Sequence, residues 1–272
     1  MMLLVDAGNT RIKFGWVEQQ SGRREAVALT LDHAAVGQLP HWLAQLPAAP
    51  IAALGVNVAG APIRSAIESL LALHTCPITW VTSRSEALGV RNRYQSPDQL
   101  GPDRWVSMLA LAQRARNTGA NQTTDPTAEP VLMLASFGTA TTIDTLGPRL
   151  RFEGGLILPG PELMRTTLAQ ATANLPQAQG ATAAYPTDTH GAIATGIAAA
   201  QAGAVLRQWL TGLEHYGSPP RVYSAGGGWP IVRQETIALL AAAQTRLGLP
   251  ITPIEWLPAP VLDGLARLAC EQ

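Results

Sequence analysis

Short apolar runs separated by polar turns open the chain. Residues 3–5 are apolar, residues 6–10 form a polar turn, and residues 12–17 alternate between polar and apolar side chains. Alternation is typical of a half-buried strand, so this stretch predicts a β-hairpin. The next predicted elements are a strand, a helix, a strand, a helix and a strand, at 26–29, 34–46, 51–58, 61–74 and 78–81. The chain therefore starts with antiparallel strands.

The same pattern returns halfway along the chain. Residues 116–130 are polar and rich in Asn, Thr and Gly, which predicts a surface excursion or linker. After it come an apolar strand at 131–135, a glycine-containing turn at 136–140 and a second strand at 141–146. This is a repeat on the scale of a domain.

The repeat predicts two domains. We expect an N-terminal α/β domain over 1–120 and a C-terminal α/β domain over 121–272. The later predicted elements are helices at 161–173, 192–213, 231–247 and 260–269, and strands at 156–158, 222–225 and 251–254.

Charge and cysteine content argue against several classes of protein. Of the 272 residues only 14% are charged, and 19 basic side chains balance 19 acidic ones, so the basic excess of a dedicated nucleic-acid binder or a polybasic membrane anchor is missing. Two distant cysteines, Cys76 and Cys270, indicate neither a disulfide framework nor a zinc site. No apolar stretch predicts a signal peptide or a membrane span. We expect a cytoplasmic protein.

The first turn has the residues of a phosphate and metal site. Gly8 permits close approach of a ligand to the backbone, Thr10 and nearby amides can donate to phosphate oxygens, and Asp6 can hold a hydrated magnesium ion. An ordinary hairpin turn, in which Asp, Gly and Asn are common, is the alternative. Lys13 follows the turn and is the chain's only lysine. A compact ammonium beside a phosphate is a reason to have lysine there, although an arginine-biased composition would also leave such a residue.

Two later segments have similar residues. Residues 138–142, followed by Asp144, offer hydroxyls and a glycine at a strand end, where a Thr-rich strand is the alternative. Residues 224–228 contain three glycines that let the backbone lie against a flat ligand such as adenine, or form a flexible loop.

A candidate base lies at the start of a helix. Tyr94 precedes a segment in which Gly101 can cap a helix and Pro102 suits its first position, which places Asp103 and Arg104 in the first turn. The helix dipole favours a carboxylate there. Phosphoryl transfer needs an oriented acceptor hydroxyl and accepts a weak base, but Asp is also simply a good residue in a first turn.

The sequence lacks the motifs of P-loop proteins, protein kinases and serine hydrolases. The chain has no Gly-x-x-x-x-Gly-Lys-Ser/Thr loop, no protein-kinase loop set and no Gly-x-Ser-x-Gly elbow. Its five histidines have no metal-binding spacing.

In order, these segments resemble the type III pantothenate kinases, the family that includes the Bvg accessory factor proteins. The resemblance covers nearly the whole chain and is carried by residues 6–13, Tyr94 with 101–104, 138–144, 154–160, 189–193 and the glycines near 226. It implies the fold of acetate and sugar kinases, heat-shock chaperones and actin, with two related α/β domains and a nucleotide cleft between them. The implied reaction is ATP-dependent phosphorylation of pantothenate to 4'-phosphopantothenate, the first step of coenzyme A biosynthesis.

The resemblance also implies a role for each matching residue. Asp103 would be the catalytic base, and Asp6 would lie near Mg²⁺. The ATP contacts would be Asp6, Ala7, Gly8, Asn9, Thr10, Arg11, Ile12, Lys13 and Thr139. The pantothenate contacts would be Tyr94, Gly101, Pro102, Asp103, Arg104 and Thr189. Family members are typically homodimers whose partner subunit helps to close the pantothenate pocket.

Two positions depart from the family pattern. Ser136 replaces the aspartate that serves the family as a ligand for a monovalent cation, K⁺ or NH₄⁺. A hydroxyl is a poorer ligand, so we expect a higher cation requirement or none. Pro102 replaces a small residue, which a helix start tolerates.

Two other functions remain open from sequence. One is a kinase for another small polar substrate, and the other is a non-catalytic transcription accessory factor. Tyr94 and residues 101–104 favour pantothenate, and nothing basic supports direct DNA contact.

Overall fold

A computed structural model describes residues 1–122 and 129–271. The strands are β1 (Met2–Ala7), β2 (Arg11–Val17), β3 (Leu29–Asp32), β4 (Ala52–Asn57), β5 (Ile78–Trp80), β6 (Glu86–Ala87), β7 (Val90–Asn92), β8 (Leu132–Phe137), β9 (Ala140–Gly147), β10 (Arg151–Pro159), β11 (Arg221–Ala225) and β12 (Glu255–Trp256). The α-helices are α1 (Leu39–Leu43), α2 (Ala61–Ala72), α3 (Pro102–Gln122), α4 (Pro161–Ala171), α5 (Thr189–Tyr216), α6 (Trp229–Arg246) and α7 (Pro260–Cys270). Short 3₁₀ helices lie at His33–Gln38, Pro97–Gln99 and Pro148–Leu150.

The chain forms two compact units. Unit one contains Met1–Asn117 together with the segment from Ala259 onward, and unit two contains Thr118–Pro258. The sequence-based division at residue 120 stays a prediction. The C-terminal helix α7, which that division places in the second domain, groups with unit one.

Unit one contains a five-stranded sheet in the order β3-β2-β1-β4-β5. Strands β1, β2 and β3 are antiparallel, and β4 and β5 run parallel to β1. Side chains alternate along β1: Leu3, Val5 and Ala7 enter the core beneath α1 and α2, so Leu4 and Asp6 face the opposite side. The predicted first hairpin is confirmed.

Unit two repeats this topology. Its strands lie in the order β12-β11-β8-β9-β10. Strands β8, β9 and β10 are antiparallel, β11 runs parallel to β8, and β12 runs parallel to β11. The core packs residues of β8 and β11 against α5 and α6, including Phe137, Trp209 and Trp229. The repeat seen in the sequence therefore extends to strand order and direction.

Helix α3 is buried where it carries apolar residues. Trp105, Val106, Leu109 and Leu111 are each at most 1% exposed. Helix α7 approaches α3 closely, because Gly264 has no side chain: a Cβ there would lie 2.0 Å from the Val106 carbonyl oxygen. Arg267 also donates to the Leu109 carbonyl. Helix α7, which packs against β1, β2 and β4 as well, thus supports the helix that begins beside Asp103.

Two sequence expectations about β-structure were wrong, and one hairpin was missed. The strand expected at 26–29 lies at Leu29–Asp32, because Leu31 is buried whereas Val27 is 83% exposed. The strand expected at 251–254 is the shorter Glu255–Trp256, since Pro253 cannot donate to a ladder. The hairpin of β6 and β7 was not expected at all.

Two helix expectations also need correction. The helix expected over 34–46 is a 3₁₀ turn followed by the short α1, because Pro40 lacks the N–H that a continuous helix would use. Helix α3 runs to Gln122, into the stretch predicted as a linker at 116–130. Residues 123–128 of that stretch lie outside the described part. None of the helices described is long and apolar enough to cross a membrane.

The contact between α7 and α3 is testable. We expect Gly264→Ala to lower the free energy of unfolding by about 1–3 kcal/mol, because the new methyl group must displace a backbone carbonyl. Gly203→Ala is the matched control: Gly203 lies within α5 and a Cβ there meets nothing within 4 Å. It should raise stability by roughly 0.5–1 kcal/mol through helix propensity. Urea unfolding measures both, and a neutral Gly264→Ala would contradict the close contact.

Candidate active site

Asp6 brings two charged residues together in unit one. Lys13 lies directly opposite Asp6 in the antiparallel β1–β2 register, so both side chains project from the same face of the sheet. Asp103, at the start of α3, is near enough for its charge to act on the Asp6 carboxyl. Two carboxylates and one ammonium therefore share one region.

The pKa of Asp6 is raised from its ordinary value of 3.8 to about 6. Burial, which removes water from the carboxylate, is the main cause. The Lys13 ammonium lowers the pKa and the Asp103 carboxylate raises it further. An ionised Asp6 is thus incompletely compensated in the protein alone, and a nearby cation would stabilise it.

The turn after Asp6 (residues 6–10, the Asp6 turn) is held by backbone and side-chain bonds. The Gly8 N–H donates to the Arg11 carbonyl over 3.1 Å, and His33 Nε2 lies 2.8 Å from the Gly8 carbonyl oxygen. Asn9 and Thr10 are exposed. Ala7 and Ile12 pair with each other and are buried in the core, so of the predicted ATP residues they can contribute backbone only.

Arg11 projects elsewhere. It forms an ion pair with Asp32 at 3.6 Å, on the surface between β2 and β3. The side chain is 63% exposed. Its contact with ATP stays a prediction.

The local structure around Asp103 is the one predicted. The Trp105 N–H donates to the Gly101 carbonyl over 3.0 Å, which closes the first turn after Pro102. A Cβ at Gly101 would lie 2.7 Å from Asp103 Oδ1, so the glycine makes room for the carboxylate. The buried Ser83 hydroxyl donates to the Leu100 carbonyl over 2.7 Å and fixes the approach to this turn.

Tyr94 and Arg104, both predicted to contact the substrate, are in contact with each other. Arg104 Nη1 donates to the Tyr94 hydroxyl over 2.9 Å, and its guanidinium lies 5.8 Å from the centre of the Tyr94 ring. Arg104 is only 7% exposed. A buried guanidinium held in this way is suited to bind a carboxylate.

Unit two contains the counterpart turn (residues 136–140, the Ser136 turn). The Gly160 N–H donates to the Thr139 carbonyl over 2.9 Å, and the Gly228 N–H donates to the Phe137 carbonyl over 2.8 Å. Gly226 has a φ of +88°, and a Cβ there would lie 2.3 Å from the Phe137 carbonyl oxygen. The glycines predicted for a flat ligand therefore pack closely against the backbone of Phe137, and their contact with a ligand stays a prediction.

Ser136 occupies the place in β8 that Asp6 occupies in β1, two residues before the glycine of its turn. Its cross-strand neighbours are Thr142 on β9 and Ala225 on β11. Neither neighbour is charged. The position offers hydroxyl oxygens without a carboxylate, so it does not fit the anionic cation ligand that the resemblance implies.

Thr189, the remaining predicted pantothenate contact, lies in unit two. It is the first residue of α5, whose N-cap Asp188 accepts a bond from the Gly191 N–H over 2.9 Å. Thr189 lines a cavity of about 650 Å³ with mostly apolar walls that include Leu168 and Ile193. The other predicted pantothenate contacts belong to unit one.

The residues of unit one fit a magnesium–nucleotide ligand. Among the described residues no group of three or more His, Cys, Asp or Glu could hold a metal ion. Mg²⁺ needs none, since it usually takes one or two carboxylates together with water and substrate phosphates. The desolvated Asp6 beside Asp103 supplies such carboxylate oxygen, and Lys13 supplies positive charge for phosphate.

Sequence analysis missed two supporting residues. His33 forms a hydrogen bond with the Asp6 turn, but the two lie 25 positions apart, so no local pattern signals the contact. Asn92 accepts a bond from the Tyr94 N–H over 3.0 Å and donates to the Pro97 carbonyl over 3.3 Å, so it shapes the loop that carries Tyr94. An Asn two residues before Tyr94 was the available signal, because Asn side chains commonly bond a backbone N–H two residues on.

The repeated strand topology defines the class of protein. It is the α/β fold shared by acetate and sugar kinases, heat-shock chaperones and actin, and solved structures agree. A Baf-family protein from Campylobacter jejuni superposes with a TM-score of 0.53 at 16% identity, covering 99% of this chain and 98% of that one. The Lmo2764 protein from Listeria monocytogenes, described as an N-acetylmannosamine kinase, gives 0.51 at 14% identity, covering 99% and 98%. The predicted fold class is confirmed.

Sequence comparison identifies the family within that class. A type III pantothenate kinase from Bordetella petrii is 53% identical, covering 100% of this chain and 98% of the relative. One from Bordetella pertussis is 49% identical, with the same two coverages. The family model for type III pantothenate kinases matches residues 2–211. The chain belongs to the type III pantothenate kinase family.

The raised pKa of Asp6 predicts a gain in stability when its charge is removed. Because this pKa is about 6 in the folded chain and 3.8 ordinarily, ionisation of Asp6 weakens folding as the pH rises from about 4 to about 6. Without ligands, Asp6→Asn should therefore be more stable than the wild type above pH 6, by about 1–3 kcal/mol, and the difference should vanish below pH 4.

Urea unfolding from pH 4 to 7.5 measures this difference. Asp32→Asn is the control, because the Asp32 carboxylate is 76% exposed and should change stability little. A wild type as stable as Asp6→Asn at pH 7.5 would show that Asp6 is not desolvated.

Proposed function

We propose that this chain transfers the γ-phosphoryl group of ATP to the terminal hydroxyl of pantothenate, giving 4'-phosphopantothenate and ADP. The observation that carries the proposal is the shared region of Asp6, Lys13 and Asp103 in unit one, in a chain of this family. Two relatives named type III pantothenate kinase match this chain over 98% of their own length.

Asp103 acts as the base. The pantothenate hydroxyl oxygen attacks the γ-phosphorus, the bond from this phosphorus to the β,γ-bridging oxygen breaks, and the hydroxyl proton passes to Asp103. Because the transition state is loose, the main task of Asp103 is to orient the hydroxyl. Gly101 supports that task, since its missing side chain leaves the space in which Asp103 Oδ1 lies.

ATP is held by the Asp6 turn and by Lys13. Exposed Asn9 and Thr10 present amides and a hydroxyl to the phosphates, and Asp6 would hold Mg²⁺ beside them. When bound, the metal neutralises charge on the phosphates. Thr139 in the Ser136 turn is a further proposed ATP contact.

Arg104 binds the carboxylate of pantothenate. Pantothenate has one carboxylate and, at its other end, the hydroxyl that is phosphorylated. Arg104 is buried and oriented by Tyr94, and guanidinium pairs strongly with carboxylate. This need for a carboxylate favours pantothenate over a neutral sugar as the acceptor. Pro102 and Thr189 complete the proposed contacts.

We further propose a cytoplasmic homodimer. Unit two exposes large apolar side chains, among them Ile157 at 64% and Tyr185 at 91%, which a subunit contact would cover. Cys76 and Cys270 form no disulfide with each other, which supports a reducing location.

A coupled assay with Mg-ATP tests the function. Pantothenate, its analogue with an amide in place of the carboxylate, and a panel of sugars and hydroxy acids serve as acceptors. Activity confined to a sugar or another acid would favour the second hypothesis, a kinase for a different small substrate. A complete lack of turnover with every acceptor would favour the non-catalytic accessory protein.

We expect Asp103→Asn to lower turnover by about a hundredfold or more, the usual effect of losing a positioned base. The fold and ATP binding should be nearly unchanged. Asp98→Asn is the control, because Asp98 lies in the exposed 3₁₀ turn just before this helix. Steady-state kinetics and thermal unfolding measure both variants. Full turnover in Asp103→Asn would mean that another group takes the proton.

We expect Ser136→Asp to lower the K⁺ concentration that gives half-maximal activity. A carboxylate offsets the cost of removing water from the ion, whereas the hydroxyls of Ser136 and Thr142 offer only dipoles. The wild type, without that carboxylate, should need a higher K⁺ concentration or no monovalent ion at all. The measurement is activity against K⁺ at constant ionic strength for both proteins. Identical, tight K⁺ curves would show that the ion's ligands lie elsewhere.

A further inference from the structure

His33 donates a hydrogen bond into the Asp6 turn. Its Nε2 lies 2.8 Å from the Gly8 carbonyl oxygen, and because a carbonyl only accepts, Nε2 must carry the hydrogen. The half-buried ring begins the 3₁₀ helix His33–Gln38, directly after β3. Pairing of β3 with β2 therefore brings His33 beside the turn.

This bond sets the orientation of one peptide group. No peptide bond among the described residues is cis, and in a planar trans peptide the Gly8 carbonyl and the Asn9 N–H point in opposite directions. A carbonyl held towards His33 directs the Asn9 N–H away from it. Because glycine rotates more freely than other residues, this peptide needs an outside restraint.

Two other restraints on the turn act on different groups. The Gly8 N–H bond to the Arg11 carbonyl acts on the preceding peptide group. The Arg11–Asp32 ion pair lies at the far end of the turn with both side chains mostly exposed, and exposed pairs contribute little. His33 is the side chain that holds the Gly8 carbonyl directly.

We propose that His33 is a positioning residue for ATP. It keeps the Gly8 carbonyl oxygen away from the phosphates and presents the Asn9 N–H to them. If the peptide rotated, an oxygen lone pair would face the phosphate oxygens, which repel it, in place of a donor that binds them. This inference rests on the proposed placement of the ATP phosphates at the Asp6 turn.

Three variants test the role. His33→Phe keeps a ring but removes the donor, and His33→Gln places an amide N–H near the position of Nε2. His41→Phe is the matched control, because the exposed His41 contacts only the nearby Gln45 among the bonds seen. Steady-state kinetics with each substrate varied, together with thermal unfolding, are measured for all three and for Asp6→Asn.

We expect His33→Phe to raise the KM for ATP about five- to tenfold, the effect of one lost hydrogen bond. The KM for pantothenate should change less than twofold. His33→Gln should recover most of the ATP affinity, and His41→Phe should match the wild type.

Each other outcome overturns a defined part of the argument. If Asp6→Asn weakens ATP use but His33→Phe does not, the role of His33 is wrong and the phosphate site stands. If neither variant changes the KM for ATP, the phosphates do not bind at this turn and both proposals fall. His33→Phe could instead change both KM values and the melting temperature, with no recovery in His33→Gln. That result would show that His33 is only structural.

Discussion

The burial of one carboxylate is the constraint on which the candidate site of unit one depends. Asp6 lies on the central strand β1, with an ammonium opposite it and a second carboxylate near it. One positive charge cannot compensate two negative ones in a poorly hydrated region. Ionisation of Asp6 is therefore unfavourable in the protein alone, and a bound cation would make it less so. Folding would favour the neutral Asp6, whereas cation binding would favour the ionised one.

The two units show how one topology can support different chemistry. Position by position, Asp6 and Lys13 across β1 and β2 correspond to Ser136 and Thr142 across β8 and β9. The strand order and directions are the same, but one cross-strand pair is charged and the other neutral. Strand pairing depends on backbone bonds and on the buried face of each strand, so the residue at this position can change without loss of the fold.

Sequence reasoning succeeded where the signal is local. The hairpin after Leu3 follows from alternation, and the helix start at Pro102 follows from a proline and a glycine at fixed places. Sequence reasoning failed where contacts between residues distant in sequence determine the structure. Strand β3 is shifted because Leu31, not Val27, finds a place in the core. His33 contacts Gly8 across 25 positions, and no local pattern indicates that. The residues alone indicated a phosphate and metal site at the first turn and a base at Asp103, whereas the full sets of ATP and pantothenate contacts followed from the family resemblance.

The close approach of α7 to α3 has a consequence for biosynthesis. The Val106 carbonyl packs against Gly264. All of unit two is synthesised after Val106 and before Gly264. Until then the apolar surface of α3 lacks its partner, so the first unit to begin synthesis is the last to be completed. Non-local contacts of this kind slow folding and leave nascent chains prone to aggregation. The packing of the helix that begins beside Asp103 is thus completed only after unit two has been synthesised.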